Sequence, residues 1–285
     1  MNRIDAVFAQ LRAAQRRALM PFVCGGHPRA GTTAAVLPAL ERAGASVIEV
    51  GIPFSDPIAD GPVIAAAMHA ALKAGATPES VFAEVASVRG RMNAGLVAMC
   101  SVSIVRRMGA AHPNRGTASG GAGGSPVLGF VRRARAAGFD GLIIPDAPLE
   151  ESGDLIAAAR DEGLALSLLI APTTPADRAA RIAAASSGFV YLLARAGITG
   201  ETAAAPQVAS RVSELRRVTK LPIACGFGIA TPEHVRAVVG PPPSGDADAA
   251  IVGSALVRAM DAAAATDGDP VAAGERFTRA LIAGL

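Results

Sequence analysis

No apolar run in the 285-residue chain reaches the ~20 residues a membrane-spanning helix needs, and alanine supplies much of its positive mean hydropathy. The first residues, "MNRIDAVFAQLRAAQRR", lack the long apolar stretch of a secretory signal. Their apolar side chains recur at helical spacing instead, which predicts a leading helix in a soluble, cytoplasmic protein. Cysteine is scarce: Cys24, Cys100 and Cys225 are an odd number without C-x-x-C spacing, so free thiols are expected rather than a disulfide framework or a metal site, even with His27 close to the first. Charge is thin as well. Charged residues make up 18% of the chain, the net charge is only +3 and the arginines are dispersed, so nucleic-acid binding is not indicated. With 51% hydrophobic residues, the composition is that of a globular protein.

What is present is an alternation. Short β-rich runs occur at Leu19–Val23, Ser46–Ile52, Gly95–Cys100, Gly141–Pro145, Ala165–Ala171, Phe189–Ala194, Pro222–Gly226 and Ala249–Val252. Between them lie helical patterns such as "TTAAVLPALERAG", "TPADRAARIAAAS" and "TPEHVRAVV", several opening on Thr or Pro as helix starts do. Eight strand–helix units without a composition break predict an α/β fold, a single-domain (β/α)8 TIM barrel spanning residues 1–285, with an open doubly wound sheet as the alternative. Two segments interrupt the pattern. The stretch Arg106–Pro126, rich in Gly, Ala and Ser, reads as a flexible loop insertion, and "GPPPSGDAD" at Gly240–Asp248 as a stiffer connection.

The second strand carries the first chemical signal. Side chains alternate along a strand, so in "SVIEVGIPFSDPIADGPVI" Ile48, Val50 and Ile52 share one face while Val47, Glu49 and Gly51 share the other. A carboxylate in a core strand calls for a partner or a catalytic task. In a barrel Glu49 sits near the carboxyl-terminal mouth, with Asp56 and Asp60 on the following loop. Two carboxylates at one mouth suit general acid/base work. Asp56 beside Pro57 reads better as a turn residue, and for Asp60, ahead of Gly61, a turn role and a site role fit equally well. The second signal is a set of glycine-bearing strand ends, "CGFGI", "VGSALV" and "ARAGITGE". The first two lead into helices and suit a phosphate, although ordinary turns would look similar.

Taken in order, "PFV", "EVGIPFSDPIADGP", "PDAPLEES", "YLLARAGITG", "GFGI" and "GSALV" make the whole chain resemble the tryptophan synthase α subunit family. The second motif is highly specific and the others add to it jointly. The resemblance implies a carbon–carbon lyase of tryptophan biosynthesis that cleaves indole-3-glycerol phosphate to indole and glyceraldehyde 3-phosphate. It implies no cofactor in this chain, and a β subunit partner that carries pyridoxal phosphate in an α2β2 assembly. Carried onto this sequence, Glu49 is the general acid/base and Asp60 holds the indole N–H. Gly200, Gly228, Gly253 and Ser254 bind the substrate phosphate, and Phe22 and Tyr191 line the substrate cavity. The chain departs from the family pattern at Cys24 and His27, where Thr and Asp are usual. Alternative readings are another enzyme on a phosphate-binding barrel, a non-catalytic allosteric partner of the β subunit, and a standalone lyase.

Overall fold

The computed structural model describes residues 2–57, 60–110, 125–194, 208–226, 228–241 and 245–285. The amino-terminal half runs α1 (Arg3–Ala13), β1 (Ala18–Cys24), α2 (Thr32–Ala43), β2 (Val47–Gly51), α3 (Pro62–Lys73), α4 (Pro78–Arg89), β3 (Gly95–Met99), α5 (Val102–Ala110), α6 (Pro126–Ala136) and β4 (Gly141–Ile143). A 3-10 turn at Leu149–Glu151 leads into α7 (Gly153–Asp161), β5 (Ala165–Leu166), β6 (Leu169–Ile170), α8 (Ala176–Ala185) and β7 (Val190–Leu193). The chain ends with α9 (Ala209–Arg216), β8 (Ile223–Gly226), α10 (Pro232–Val239), β9 (Ala249–Val252), α11 (Ser254–Ala264) and α12 (Pro270–Ile282).

All pairings are parallel, in the order β5-β4-β3-β2-β1-β9-β8-β7-β6. The two edges belong to one stave. The run Ala165–Ala171 is expected as a single strand, yet it changes neighbour partway along: Ser167 N–H donates to Leu142 O on β4 at 3.0 Å, while Leu168 O accepts from Tyr191 N on β7 at 3.2 Å. The break is where the sheet closes on itself. The fold is therefore the (β/α)8 barrel with a leading helix, and the open-sheet alternative is set aside.

Period-two burial sorts the core into layers. Leu19, Val23, Ile48, Val50, Leu96 and Ala98 face the helices, whereas Met20, Val47, Val97, Ile143 and Phe189 fill the barrel interior. Helix α1 closes the amino-terminal end. Asn2 Oδ1 accepts from Ile4 N at 2.8 Å, capping the helix, while its Nδ2 donates to Asp140 O and Gly163 O, each at 2.8 Å. Ile4 and Phe8 then join the interior cluster. Gly141 permits this approach, since a Cβ there would stand 2.8 Å from Ile4 Cδ1.

One expectation needs correcting. The stretch assigned to a loop from Arg106 is still helical as far as Ala110, and Pro126 already opens α6. Ile104, Val105 and Met108 are buried along one face of α5, and a Cβ on Gly109 would run into the carbonyl of Pro126. Gly109 is thus a close-packing residue between two helices rather than a loop marker. Residues 111–124 of that stretch lie outside the described residues. No described helix is long and apolar enough to cross a membrane.

Candidate active site

Strand β2 places Glu49 in the barrel interior, in register with Phe22 on β1 and Val97 on β3. The side chain is fully buried, and neither carboxylate oxygen has a hydrogen-bond partner among the described residues. Burial alone pushes the carboxyl up to about 8, so it holds a proton at neutral pH. This is the environment of a stored acid rather than of an ion pair.

Asp60 reaches the same space from the loop after β2. Its N–H donates to Pro57 O at 3.0 Å, so it sits in a turn. Its side chain is half-buried at the cavity wall, and burial raises its carboxyl to about 6. Asp60 is thus a turn residue that also lines the cavity. Asp56 behaves as expected of a turn residue: it is exposed and accepts from Ser55 Oγ at 2.8 Å.

Two aromatics line the same cavity as these carboxyls. A Cβ on Gly51 would lie 2.6 Å from Phe22 Cε2, and one on Gly226 would lie 2.5 Å from the hydroxyl oxygen of Tyr191, so each ring occupies the space a neighbouring glycine leaves free. Tyr191 is the sole tyrosine of the chain. Its phenol is pushed up first by burial and then by the negative charges of Glu49 and Asp60.

Together these groups line a cavity of about 530 Å³ at the carboxyl-terminal mouth of the barrel. Apolar walls come from Ile64, Met99, Leu169, Leu193 and Ile251. At one end lie Gly228, with a left-handed φ of +80°, together with Gly253 and Ser254. Gly253 is the N-cap of α11 and supplies no side-chain cap to the first-turn N–H groups, the kind of helix start that can bind an anion. Of the residues anticipated from sequence, Glu49, Asp60, Phe22, Tyr191, Gly228, Gly253 and Ser254 all line this one space. Gly200 lies outside the described residues.

Other wall residues were not anticipated. Asp146, in the "PDAP" turn after β4, accepts from Ser101 Oγ at 2.6 Å and from Val102 N at 2.8 Å, tying that turn to the start of α5. Arg178 on α8 reaches the wall while its guanidinium holds Glu150 through two hydrogen bonds, at 2.7 and 2.9 Å. An aspartate immediately after a strand end was the signal available for Asp146; Arg178, within an amphipathic helix, carried none. His27 is buried with Nε2 2.5 Å from Asp261 Oδ1, and the three cysteines are buried free thiols. Among the described residues, no three His, Cys, Asp or Glu side chains gather as metal ligands.

A parallel (β/α)8 barrel with a deep cavity at its carboxyl-terminal mouth, furnished with buried carboxyls, is the architecture of a small-molecule enzyme. Comparison with known proteins makes the class specific. The model of the family described as "Tryptophan synthase alpha chain" matches residues 8–282. The tryptophan synthase alpha chain of Prochlorococcus marinus (strain MIT 9313) is 44% identical over 262 residues, covering 92% of this chain and 88% of the relative. That of Acaryochloris marina is 37% identical, covering 100% and 98%. Among solved structures, the alpha subunit from Legionella pneumophila superposes with a TM-score of 0.84 at 29% identity, covering 100% of this chain and 98% of that one. A tryptophan synthase chain from M. tuberculosis gives 0.81 at 31% identity, covering 100% and 99%. The chain belongs to the tryptophan synthase alpha chain family.

Proposed function

We propose that the protein is a lyase that cleaves indole-3-glycerol phosphate into indole and glyceraldehyde 3-phosphate, with Glu49 as the acid and base of the reaction. The observation that carries this reading is the state of Glu49: fully buried, without a hydrogen-bond partner among the described residues, and raised to about 8 inside the cavity. Cleaving the bond between indole C3 and the glycerol chain requires a proton on C3. The ring nitrogen then carries positive charge, and the electron pair of the breaking bond neutralises it as the bond opens. The adjacent glycerol hydroxyl loses its proton and becomes the aldehyde. A protonated Glu49 supplies the first proton and, once ionised, accepts the second, so it ends as it began.

Asp60 takes the other role. Raised only to about 6, it is ionised where Glu49 is not, and a carboxylate beside the ring N–H stabilises the positive charge that builds there. The apolar walls and the rings of Phe22 and Tyr191 suit an indole, and the end formed by Gly228, Gly253 and Ser254 suits the phosphate; Gly200 is assigned to the same group from the family motif. The two carboxyls fall on opposite sides of neutrality because they are buried to different depths.

The steps assigned to this chain are proton transfers and charge stabilisation. Pyridoxal phosphate belongs, in this reading, to a β chain that consumes the indole in an α2β2 assembly in the cytoplasm. The test is indole release from indole-3-glycerol phosphate by the isolated chain and by the chain mixed with a tryptophan synthase β chain. Release that the β chain stimulates fits the reading. No release in either case refutes it.

A further inference from the structure

The loop carrying Gly228 ends at α10, and the third residue of that helix is a histidine. His234 is buried, and its imidazole folds back over the loop rather than outward. Its Nδ1 lies 3.0 Å from Gly228 O and 3.3 Å from Ala230 N, while the backbone N–H of His234 donates to Thr231 Oγ1 at 3.3 Å. One ring nitrogen cannot donate to the carbonyl and accept from the amide at once. The balance favours the carbonyl. Gly228 is buried, so its oxygen needs a protein partner, whereas Ala230 is half-exposed and its N–H can turn to water.

We propose that His234 is a positioning residue for the phosphate end of the cavity, donating a hydrogen bond from Nδ1–H to the Gly228 carbonyl. The inference rests on the reading of that end as the phosphate site. In a trans peptide the C=O and N–H point in opposite directions, so holding Gly228 O toward the imidazole turns the Ile229 N–H the other way. Gly228 and Ile229 both line the cavity, so that N–H becomes a donor for an anionic oxygen. The left-handed φ of +80° at Gly228 is the backbone state the imidazole holds in place. Without this donor the buried carbonyl has no hydrogen-bond partner among the described residues, and the peptide can rotate to present oxygen, which repels a phosphate, in place of N–H.

The test uses glycerol 3-phosphate as probe, titrated calorimetrically into the wild-type chain, His234→Asn and His234→Leu. Asparagine carries Nδ2 the same number of bonds from the backbone as Nδ1 of histidine, so it keeps the donor; leucine keeps the bulk and loses it. His234→Leu is expected to bind the probe about three- to tenfold more weakly, the loss typical of one hydrogen bond, with His234→Asn within about twofold of wild type. In turnover the same loss appears in KM rather than kcat. Thermal melts of both variants check that the barrel is intact. Wild-type affinity in His234→Leu, or equal weakening in Leu and Asn, overturns the role of His234. Failure of the wild-type chain to bind the probe overturns the phosphate-site reading itself.

Discussion

Replacing Glu49 by glutamine is expected to make the protein more stable as well as inactive, and the stability effect has a pH signature. The carboxyl rises from an ordinary 4.5 to about 8 on folding because the interior desolvates its charged form. Between those values the folded chain keeps a proton that the unfolded chain has released. Unfolding therefore sheds a proton, and stability falls as pH rises, by ~1.4 kcal/mol per pH unit from this group alone. From pH 5 to 7.5 the loss accumulates to about 3 kcal/mol, which for a chain of this length is roughly 6 °C in Tm. Glutamine fills nearly the same volume and does not titrate. Melting curves of wild type and Glu49→Gln should therefore nearly coincide at pH 5 and separate steadily toward pH 7.5, with the variant the more stable. Asp60 is present in both proteins, so its titration cancels in the difference. Curves that stay parallel across this range would refute the argument that Glu49 is stored as a neutral acid.

Three further outcomes follow from the same geometry. The pH profile of kcat/KM for indole release should be bell-shaped, falling below about 6 as Asp60 takes a proton and above about 8 as Glu49 loses its own, and a flat profile would contradict the assignments. A Cβ at Gly253 meets nothing closer than Phe22 Cβ at 3.7 Å, so Gly253→Ala should leave KM near wild type while Gly253→Asp, by repelling phosphate, raises it at least about tenfold in steady-state kinetics. Asp248, at the amino-terminal end of the barrel, accepts from Ile223 N at 2.8 Å and pairs with Arg216 at 2.5 Å, so Asp248→Ala should cost about 2–4 kcal/mol in denaturant melts with kcat unchanged, because it touches nothing in the cavity.

Glu49 was legible in the sequence because a strand's period of two is rigid: a charge in phase with Val47 has nowhere to go but the barrel interior. Asp60 was only half legible. A turn before Gly61 and a place at the cavity wall look alike locally, and only the folded barrel shows that Asp60 has both positions. Ala165–Ala171 read as one strand because the exchange of neighbours at Ser167 and Leu168 depends on β4 and β7, which are distant in sequence. Arg106–Ala110 read as loop because glycine signals flexibility in composition, while at Gly109 it serves the close approach of two helices. His234 lies within the helical pattern "TPEHVRAVV", where nothing local signals its contact with Gly228, which arises only when the side chain folds back over the helix start.

The measurement closest to the central claim is indole release by the wild-type chain, Glu49→Gln and Asp60→Asn under one set of conditions. The chain contains no tryptophan, so indole fluorescence can be followed with no tryptophan signal from the protein. Wild type is expected to release indole and Glu49→Gln to release essentially none, while binding glycerol 3-phosphate as tightly as wild type. Asp60→Asn should retain a rate lower by about 10²- to 10³-fold, the usual cost of removing one preorganised charge-stabilising group. Turnover by Glu49→Gln at a rate near wild type would contradict the account.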